Sequence, residues 1–302
     1  MAEESKLHKK MKYLESVPSI NRCLERIVSG DDVSPADVRS YFKNNHAAYK
    51  RVHSKEGFMH FRISQNGMLS DEDLYYQPNT VSKYIKDGDS VVELGPGMGS
   101  NLLYLAKKHP TASFTGVDLF PKPIADMPSN VRIIEHDYSD MSMIPDASAD
   151  VVFGIETIVH CQDKTKVYKE VYRILKPGGV FIVYDYALRQ AMEKYDDVEK
   201  KAIMLVSKGG GAALLESKDE WEAYFDKGGF TKESVNNLTK NTLPDLKRLS
   251  TLASHTLGSS SRAWFTCTFL SLSYVGNILI GYIGYDGGVE GLGYYLEWIY
   301  RK

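Results

Sequence analysis

Short apolar runs alternate with helical patterns between residues 90 and 184, and this alternation constrains the fold more than any other feature of the chain. Strands separated by helices in this way pair in parallel, with right-handed crossovers. The pattern therefore predicts a doubly wound, mostly parallel α/β sheet. The predicted strands are Ser90–Leu94, Ser113–Val117, Val131–Glu135, Asp150–Gly154 and Val180–Tyr184, with helices over Asn101–Lys108 and Thr165–Leu175.

The flanking segments differ in texture from this core. The first 60 residues are polar and mostly helical, and Ser34 is suited to cap a helix that starts at Pro35. The alternation stops near Ala187, and β-formers in Tyr294–Arg301 predict a closing strand. We expect four parts: an N-terminal helical segment and lid (1–80), the core (81–189), a helical cap with one late strand (190–285), and the closing strand (286–302).

Composition excludes several classes of protein. The 302 residues include 37 Lys and Arg against 39 Asp and Glu, a net charge of −2, which argues against a nucleic-acid partner. Three distant cysteines without a CxxC pair argue against a disulfide framework or a zinc site, and favour the reducing cytoplasm. The polar Met1–Lys12 segment lacks the apolar stretch of a signal peptide.

The uncharged segment Ala263–Tyr285 is 23 residues long, enough to span a bilayer. It contains several serines, threonines and glycines as well as Asn277, and this polarity weakens the case for a membrane span. We expect a buried helix or the apolar wall of a pocket instead.

A glycine-rich turn follows the first predicted strand in Val91–Ser100. Gly95, Gly97 and Gly99 would let the backbone approach a ligand closely at the start of a helix. Their G-x-G-x-G spacing differs from the G-x-G-x-x-G of dinucleotide enzymes, and Glu93 precedes them. A carboxylate there would repel a pyrophosphate but suit an ammonium group, which favours S-adenosylmethionine (SAM) over NAD.

Acidic residues end the next two predicted strands. Asp118, in the segment Gly116–Leu119, can accept hydrogen bonds from both hydroxyls of a ribose. An acid in Glu135–Tyr138 can accept from an adenine amino group, while Tyr138 offers a π surface beside it. In Arg173–Gly179 a helix ends and proline and glycine predict a turn before another strand.

These four elements, in this order, resemble the class I SAM-dependent methyltransferases over residues 81–186. The resemblance implies a Rossmann-like, seven-stranded core that binds SAM, releases S-adenosylhomocysteine and needs no metal. It places Ile155 and Glu156 at the methionine end of the cofactor, beside the acceptor. The cofactor positions that it implies are Glu93, Gly95, Gly97, Asp118, Leu119, Asp137, Tyr138 and Ile155.

A narrower resemblance involves the segment Glu156–Cys161, which is followed by Arg173–Gly179. It is similar to the sterol C-24 and tocopherol branch, as is the aromatic segment Gly57–Phe61, whose His60 and Phe61 would then border the active site. The C-terminal third matches this branch only loosely, and methyltransferases of small amines share the same core.

Two residues are candidates for catalysis. Glu156 follows the fourth predicted strand, where it could accept a proton or stabilise a cation. His160 could act as a general base, or could only orient the helix near Asp163. Tyr76 and Tyr184 are candidates for the substrate pocket because aromatic faces attract cations, although packing roles remain open for them.

We therefore predict methyl transfer to a small molecule, with a lipophilic, isoprenoid or sterol-like acceptor favoured for C- or O-methylation. N-methylation of a glycine derivative or of a phosphoethanolamine-like amine is the alternative. A cluster of carboxylates in the pocket would favour the amine, and an aromatic, charge-poor pocket the lipid. A protein or RNA methyltransferase and a non-catalytic SAM-binding protein are less favoured. Peripheral membrane contact and the oligomeric state stay open.

Overall fold

The computed structural model describes residues 4–124 and 126–302, and within them one sheet of seven strands has the order β3-β2-β1-β4-β5-β7-β6. Neighbours among β1 to β5 are parallel, whereas β7 is antiparallel to both β5 and β6. This confirms the predicted doubly wound fold. The strands are β1 Ser90–Leu94, β2 Ser113–Asp118, β3 Val131–Glu135, β4 Ala149–Ile155, β5 Leu175–Leu188, β6 Thr231–Asn237 and β7 Gly293–Arg301.

Helices pack around this sheet, and the first of them come before β1 in the chain. Ser34 caps α3 as predicted: its side chain accepts from the amide of Asp37, and the Asp37 side chain accepts from the amide of Ser34. The helices are α1 Lys6–Ser16, α2 Pro18–Val28, α3 Pro35–Ala48, α4 Tyr76–Ser82, α5 Ser100–Lys108, α6 Lys164–Ile174, α7 Asp197–Gly209, α8 Lys218–Gly228, α9 Thr239–Leu257, α10 Ser260–Phe269 and α11 Leu272–Glu290.

Strand β5 is longer than the sequence indicates. It begins at Leu175, directly after α6, so the proline and glycine expected to form a turn lie within the strand. Gly178 takes a φ of +78°, and the pairing with β4 shifts in register between Ala149 and Val151. The segment is therefore an irregularity in the strand rather than a separate turn.

Both faces of the sheet are covered by helices. On one face the Trp221 ring of α8 stacks on Trp298 of β7 with the ring centroids 5.0 Å apart, and Phe225 stacks on Tyr300 at 3.8 Å. The residues predicted as a cap (190–285) are thus divided, because α8 and β6 belong to the sheet core.

The remaining helices form a cap around an apolar cluster of their own. Leu14 of α1, Leu24 of α2, Leu205 of α7 and Leu279 of α11 are fully buried in it. Helices α1, α2, α7, α9, α10 and α11 therefore pack as one helical layer.

Ala263–Tyr285 falls in α10 and α11 of this cap. Ala263 and Val275 are fully buried there, and later residues of α11 line a cavity, as expected for a pocket wall. None of the helices in the described parts of the chain is long and apolar enough to cross a membrane.

Candidate active site

A cavity of about 880 Å³ lies between the carboxyl ends of the strands and the helical cap. The segments that follow β1, β2, β3 and β4 form one side of it, where open α/β sheets bind ligands. The other side consists of α3, α9, α11, the ends of β5 and β7, and a π-helical turn, Tyr49–His53, that follows α3.

The glycine-rich turn lines the cavity through Gly95 and Gly97. Their φ angles are +62° and +56°, in the left-handed region that favours glycine. A Cβ atom on Gly95 would lie 1.9 Å from Oγ1 of Thr157, so the loop after β4 packs directly on this backbone. Any larger residue at position 95 would push the two loops apart.

Asp118 lies at the end of β2 with its carboxylate oriented by two backbone amides. Gly97 N donates to Oδ2 at 2.8 Å and Phe120 N donates to Oδ1 at 2.7 Å. Each oxygen retains acceptor capacity for a ligand hydroxyl. Leu119 and Phe120 line the adjacent wall, and the guanidinium of Arg39 lies 4.6 Å from the centre of the Phe120 ring.

The segment after β3 contributes Asp137 and Tyr138 to the same wall. The Asp137 carboxylate accepts from the amide of Ser139 at 2.7 Å. The Tyr138 hydroxyl donates to the carbonyl of Thr157 at 2.9 Å, so its hydrogen is already used and the ring remains as the contact surface. Ile155, at the end of β4, lines the cavity beside these residues.

Glu93 does not line the cavity, unlike the other predicted cofactor residues. Its carboxyl is buried and accepts from the side-chain amide of Asn101 at 3.0 Å, and Asn101 does line the cavity. The second carboxyl oxygen of Glu93 is buried without a hydrogen-bond partner. Burial raises the pKa of Glu93 to about 8, which marks an acid in need of a cationic or hydrogen-bonding partner.

Glu156 faces the cavity just after β4, and its carboxylate accepts three hydrogen bonds. Its φ of +51° is unusual for a residue with a side chain, and such strain concentrates at functional sites. Its Oε1 accepts from Phe61 N at 2.8 Å and from the Tyr295 hydroxyl at 2.9 Å, and Oε2 accepts from the Tyr186 hydroxyl at 2.5 Å. Burial raises its pKa to about 7 despite these three donors.

His160 also lines the cavity, one turn beyond Glu156 in sequence. Its Nδ1 lies 2.8 Å from the carbonyl of Gly211, and because a carbonyl only accepts, Nδ1 carries the proton. Burial lowers the pKa of the imidazole, so the ring is neutral and Nε2 is free of a proton. The ring packs edge-on against Phe42, at 5.2 Å between centroids.

His60 and Phe61 lie in the cavity wall, as the resemblance implies. His60 is buried between the Phe61 carbonyl and Asn101, and burial lowers its pKa to about 4, which leaves it neutral. Phe61 makes two contacts. Its amide donates to Glu156, and its ring packs edge-on against Tyr186 with the ring centroids 5.7 Å apart.

The structure corrects the prediction for two tyrosines, Tyr76 and Tyr184, which do not line this cavity. Tyr184 is fully buried within the sheet core, where its hydroxyl donates to Glu297. Tyr76 begins α4 and packs against the same core. The aromatic wall is formed instead by Tyr186, two residues further along β5 and closer to the end of the strand.

Several residues on the side of the cavity opposite the glycine-rich turn are not indicated by the sequence. The hydroxyls of Tyr41 and Tyr49 are 2.7 Å apart, and the Tyr41 hydroxyl donates to Oδ1 of Asn277 at 3.2 Å. Tyr295 reaches Glu156 from the closing strand, and His53 packs on Tyr49 at 4.9 Å between centroids. In sequence, Tyr41 and Tyr49 are visible only as a sparse aromatic segment, and nothing local marks Tyr295 or Asn277.

This side of the cavity carries little charge. Among the described lining residues from 33 to 61 and from 186 to 295, none is Asp or Glu. Leucine and isoleucine side chains of α9 and α11 cover much of the wall, including Leu246, Leu249, Ile280 and Ile283. Glu156 is therefore the acid at the junction between a polar half and an apolar, aromatic half of the cavity.

Comparison with known proteins is consistent with this geometry. Residues 92–183 match a family model described as "Methyltransferase domain". Sterol 24-C-methyltransferase erg6 of Aspergillus fumigatus is 31% identical over 156 residues, which cover 48% of this chain and 41% of that protein. The chain thus spans well under half the length of this curated relative.

Solved structures share the fold across nearly the whole chain. The cyclase SpnF has a TM-score of 0.68 at 16% identity and covers 90% of this chain and 97% of its own. Geranyl diphosphate C-methyltransferase of Streptomyces coelicolor has a TM-score of 0.63 at 14% identity and covers 90% and 99%. At such identities these likenesses concern the fold alone.

Proposed function

We propose that this chain, which resembles class I SAM-dependent methyltransferases near the sterol C-24 branch, transfers a methyl group from SAM to a small lipophilic acceptor. One observation carries the proposal. A single cavity joins the glycine turn and Asp118 to an apolar, aromatic chamber, with Glu156 between the two halves.

The residues of the polar half fit SAM. Gly95 and Gly97 present backbone to the cavity, and Asp118 presents oriented carboxylate oxygens for ribose hydroxyls. Asp137 and Tyr138 would lie at the adenine. Glu93 would act on the methionine part only through Asn101, whose side-chain amide donates to it and which lines the cavity. When bound, SAM supplies an electrophilic methyl group on a sulfonium.

The other half of the cavity favours a lipophilic acceptor. An amine substrate would be expected to meet a cluster of carboxylates, but Glu156 has no acidic companion on this side within the described residues. Related proteins act, by name, on a sterol or on geranyl diphosphate, both isoprenoid compounds. We therefore infer an isoprenoid or sterol-like acceptor, methylated at carbon or oxygen.

Glu156 is our candidate for the group that accepts a proton. With a pKa of about 7 it is partly ionised at neutral pH, which suits a general base. Tyr186 and Tyr295 orient its two oxygens and donate to the carboxylate form. The proton would come from an acceptor hydroxyl or from a carbon next to the new bond. The unprotonated Nε2 of His160 is the alternative base.

The cofactor part of the proposal is tested by calorimetric titration with S-adenosylhomocysteine, with NAD as the control ligand. We expect binding of S-adenosylhomocysteine and none of NAD. Asp118→Ala should weaken binding by about tenfold or more, since it removes oriented acceptors for two hydroxyls. The exposed Asp219→Ala, on α8, should bind like the wild type. Equal affinities for the two ligands would refute the cofactor assignment.

The acceptor part is tested by methyl transfer from labelled SAM to sterols and isoprenoid alcohols, in parallel with sarcosine and phosphoethanolamine. We expect product only with the lipophilic acceptors. Transfer to the amines alone would establish the amine alternative. Tight binding of S-adenosylhomocysteine with no transfer to any acceptor would indicate a non-catalytic role.

Glu156→Gln separates proton acceptance from binding. The variant should bind S-adenosylhomocysteine normally but lose about 100-fold or more in turnover, the usual contribution of a general base. Glu193→Gln, at an exposed acid outside the cavity, is the matched control. Unchanged turnover in Glu156→Gln would transfer the role to His160 or remove the need for a base.

A further inference from the structure

Three aromatic side chains are exposed on α10, in contrast with the otherwise buried aromatic residues of the sheet core. Trp264, Phe265 and Phe269 are 55%, 56% and 62% exposed. They form one group, because the Phe269 ring lies 5.8 Å from Trp264 and 4.9 Å from Phe265 between centroids. Leu270 extends the group at the end of the helix. We call these four residues the α10 patch.

Positive side chains lie along the sequence on either side of the α10 patch. From residue 246 to residue 285 the sequence contains no Asp or Glu, whereas Lys247, Arg248 and Arg262 are positive. The patch also adjoins α2, where Cys23 contacts the carbonyl of Cys267 and Arg22 and Arg26 flank that cysteine. Exposed aromatic residues with cations nearby are typical of surfaces that lie on anionic lipid.

The α10 patch is next to an opening of the large cavity. Leu252 of α9 lines the cavity and is nevertheless 49% exposed. His255, one turn later, also lines it, and its carbonyl accepts from Arg262 of α10. At the other end of the patch, Tyr274 in the first turn of α11 lines the cavity as well. The helix that carries the patch is thus joined to the cavity wall through Arg262 and His255.

We propose that the α10 patch docks on the surface of a lipid bilayer that contains anionic lipid. Trp264, Phe265 and Phe269 enter the interfacial region, while Arg262 lies at the level of the lipid phosphates. The helix has ten residues, so it lies along the surface. Docking would place the cavity opening against the membrane, but the binding itself does not depend on the proposed methyl transfer.

Vesicle sedimentation tests the proposal directly. The protein should sediment with phosphatidylcholine vesicles that contain about 30 mol% phosphatidylserine, because this proportion gives the vesicle surface a negative charge. It should bind pure phosphatidylcholine vesicles more weakly, and high salt should weaken the anionic binding. The triple variant W264S/F265S/F269S should lose about tenfold or more in partitioning, because three aromatic side chains no longer enter the interface.

A control variant and a folding check keep the result interpretable. Met68→Ser removes a side chain that is 69% exposed, outside α9 to α11, and should leave vesicle binding unchanged. Circular dichroism and the thermal midpoint should be the same in the triple variant and the wild type, because the substituted side chains are largely exposed.

Tryptophan fluorescence locates the contact. Trp221 and Trp298 are fully buried and stacked on each other, so a change on adding vesicles reports on Trp264. We expect a blue shift with the anionic vesicles and quenching by brominated lipid. W264S alone should abolish both signals.

Three results would overturn the proposal. The first is failure of the wild type to bind anionic vesicles. The second is equal binding by the triple variant. The third is a stable dimer in sedimentation velocity, dissociated by the triple substitution and unaffected by vesicles, which would assign the α10 patch to a second copy of the chain.

Discussion

Glu156→Gln should change how the stability of the ligand-free protein depends on pH. Burial raises the pKa of Glu156 from 4.5 to about 7, so the folded state holds a proton that the unfolded chain has released between these values. The free energy of unfolding therefore falls as pH rises from about 4.5 through 7, because an ionised carboxylate must then be accommodated in the folded state.

The size of the effect follows from this shift. A change of about 2.5 pKa units corresponds to ~3 kcal/mol at full ionisation. Most of it develops between pH 5 and pH 8, and because the carboxyl faces a cavity that water can enter, we expect about 2 kcal/mol. A glutamine retains the geometry: its carbonyl can accept from Phe61 and Tyr295, and the Tyr186 hydroxyl can rotate to accept from its amide.

The assay is urea unfolding of both proteins at pH 5, 6, 7 and 8. Glu156→Gln should gain about 2 kcal/mol relative to the wild type between the lowest and the highest pH. Glu93 and Asp185, whose pKa values burial also raises, titrate in both proteins and cancel in the difference. Glu193→Gln should run parallel to the wild type. Parallel curves for Glu156→Gln as well would show that Glu156 titrates normally, and the argument for a base poised near neutral pH would fail.

Two further substitutions test the local geometry. Gly95→Ala combines a φ of +62° with a Cβ atom 1.9 Å from Thr157, so we expect a loss of at least ~2 kcal/mol in unfolding free energy and weak binding of S-adenosylhomocysteine in calorimetry. Gly67→Ala has a similar φ of +77° but open space around it, and should cost only ~1 kcal/mol; equal losses would refute the steric argument. Trp221→Ala removes the ring stacked on Trp298 and should cost ~3–5 kcal/mol in urea unfolding without weakening ligand binding in the folded protein; a loss under 1 kcal/mol would contradict this assignment to the core.

The sheet and the polar half of the cavity could be predicted because both depend on local sequence. Strands buried on two faces form continuous apolar runs, and a parallel sheet places their carboxyl ends at one edge. Residues at or just after those ends, such as Gly95, Asp118 and Glu156, therefore meet even though they are far apart in the chain. For Glu93, one strand residue further back, the same reasoning predicted ligand contact, but the side chain is buried behind Asn101.

A residue pattern does not decide which of Tyr184 and Tyr186 faces the cavity. Tyr184 and Tyr186 have the same alternation along β5 and equal aromatic character. They differ only in their depth in the sheet. The Tyr184 hydroxyl bonds to Glu297, whereas the Tyr186 hydroxyl bonds to Glu156. Depth depends on where the strand ends relative to its neighbours, and the irregularity at Gly178 shifts that register.

The doubly wound sheet and the polar half of the cavity follow from the sequence, because glycine conformations and strand-end carboxylates act through the backbone next to them. The apolar half depends on the tertiary structure. Tyr41, Asn277 and Tyr295 come from an N-terminal helix, a late helix and the closing strand, and only the packing of the cap on the sheet brings them together. That packing rests on many small apolar contacts between distant segments, which leave no local signal in the chain.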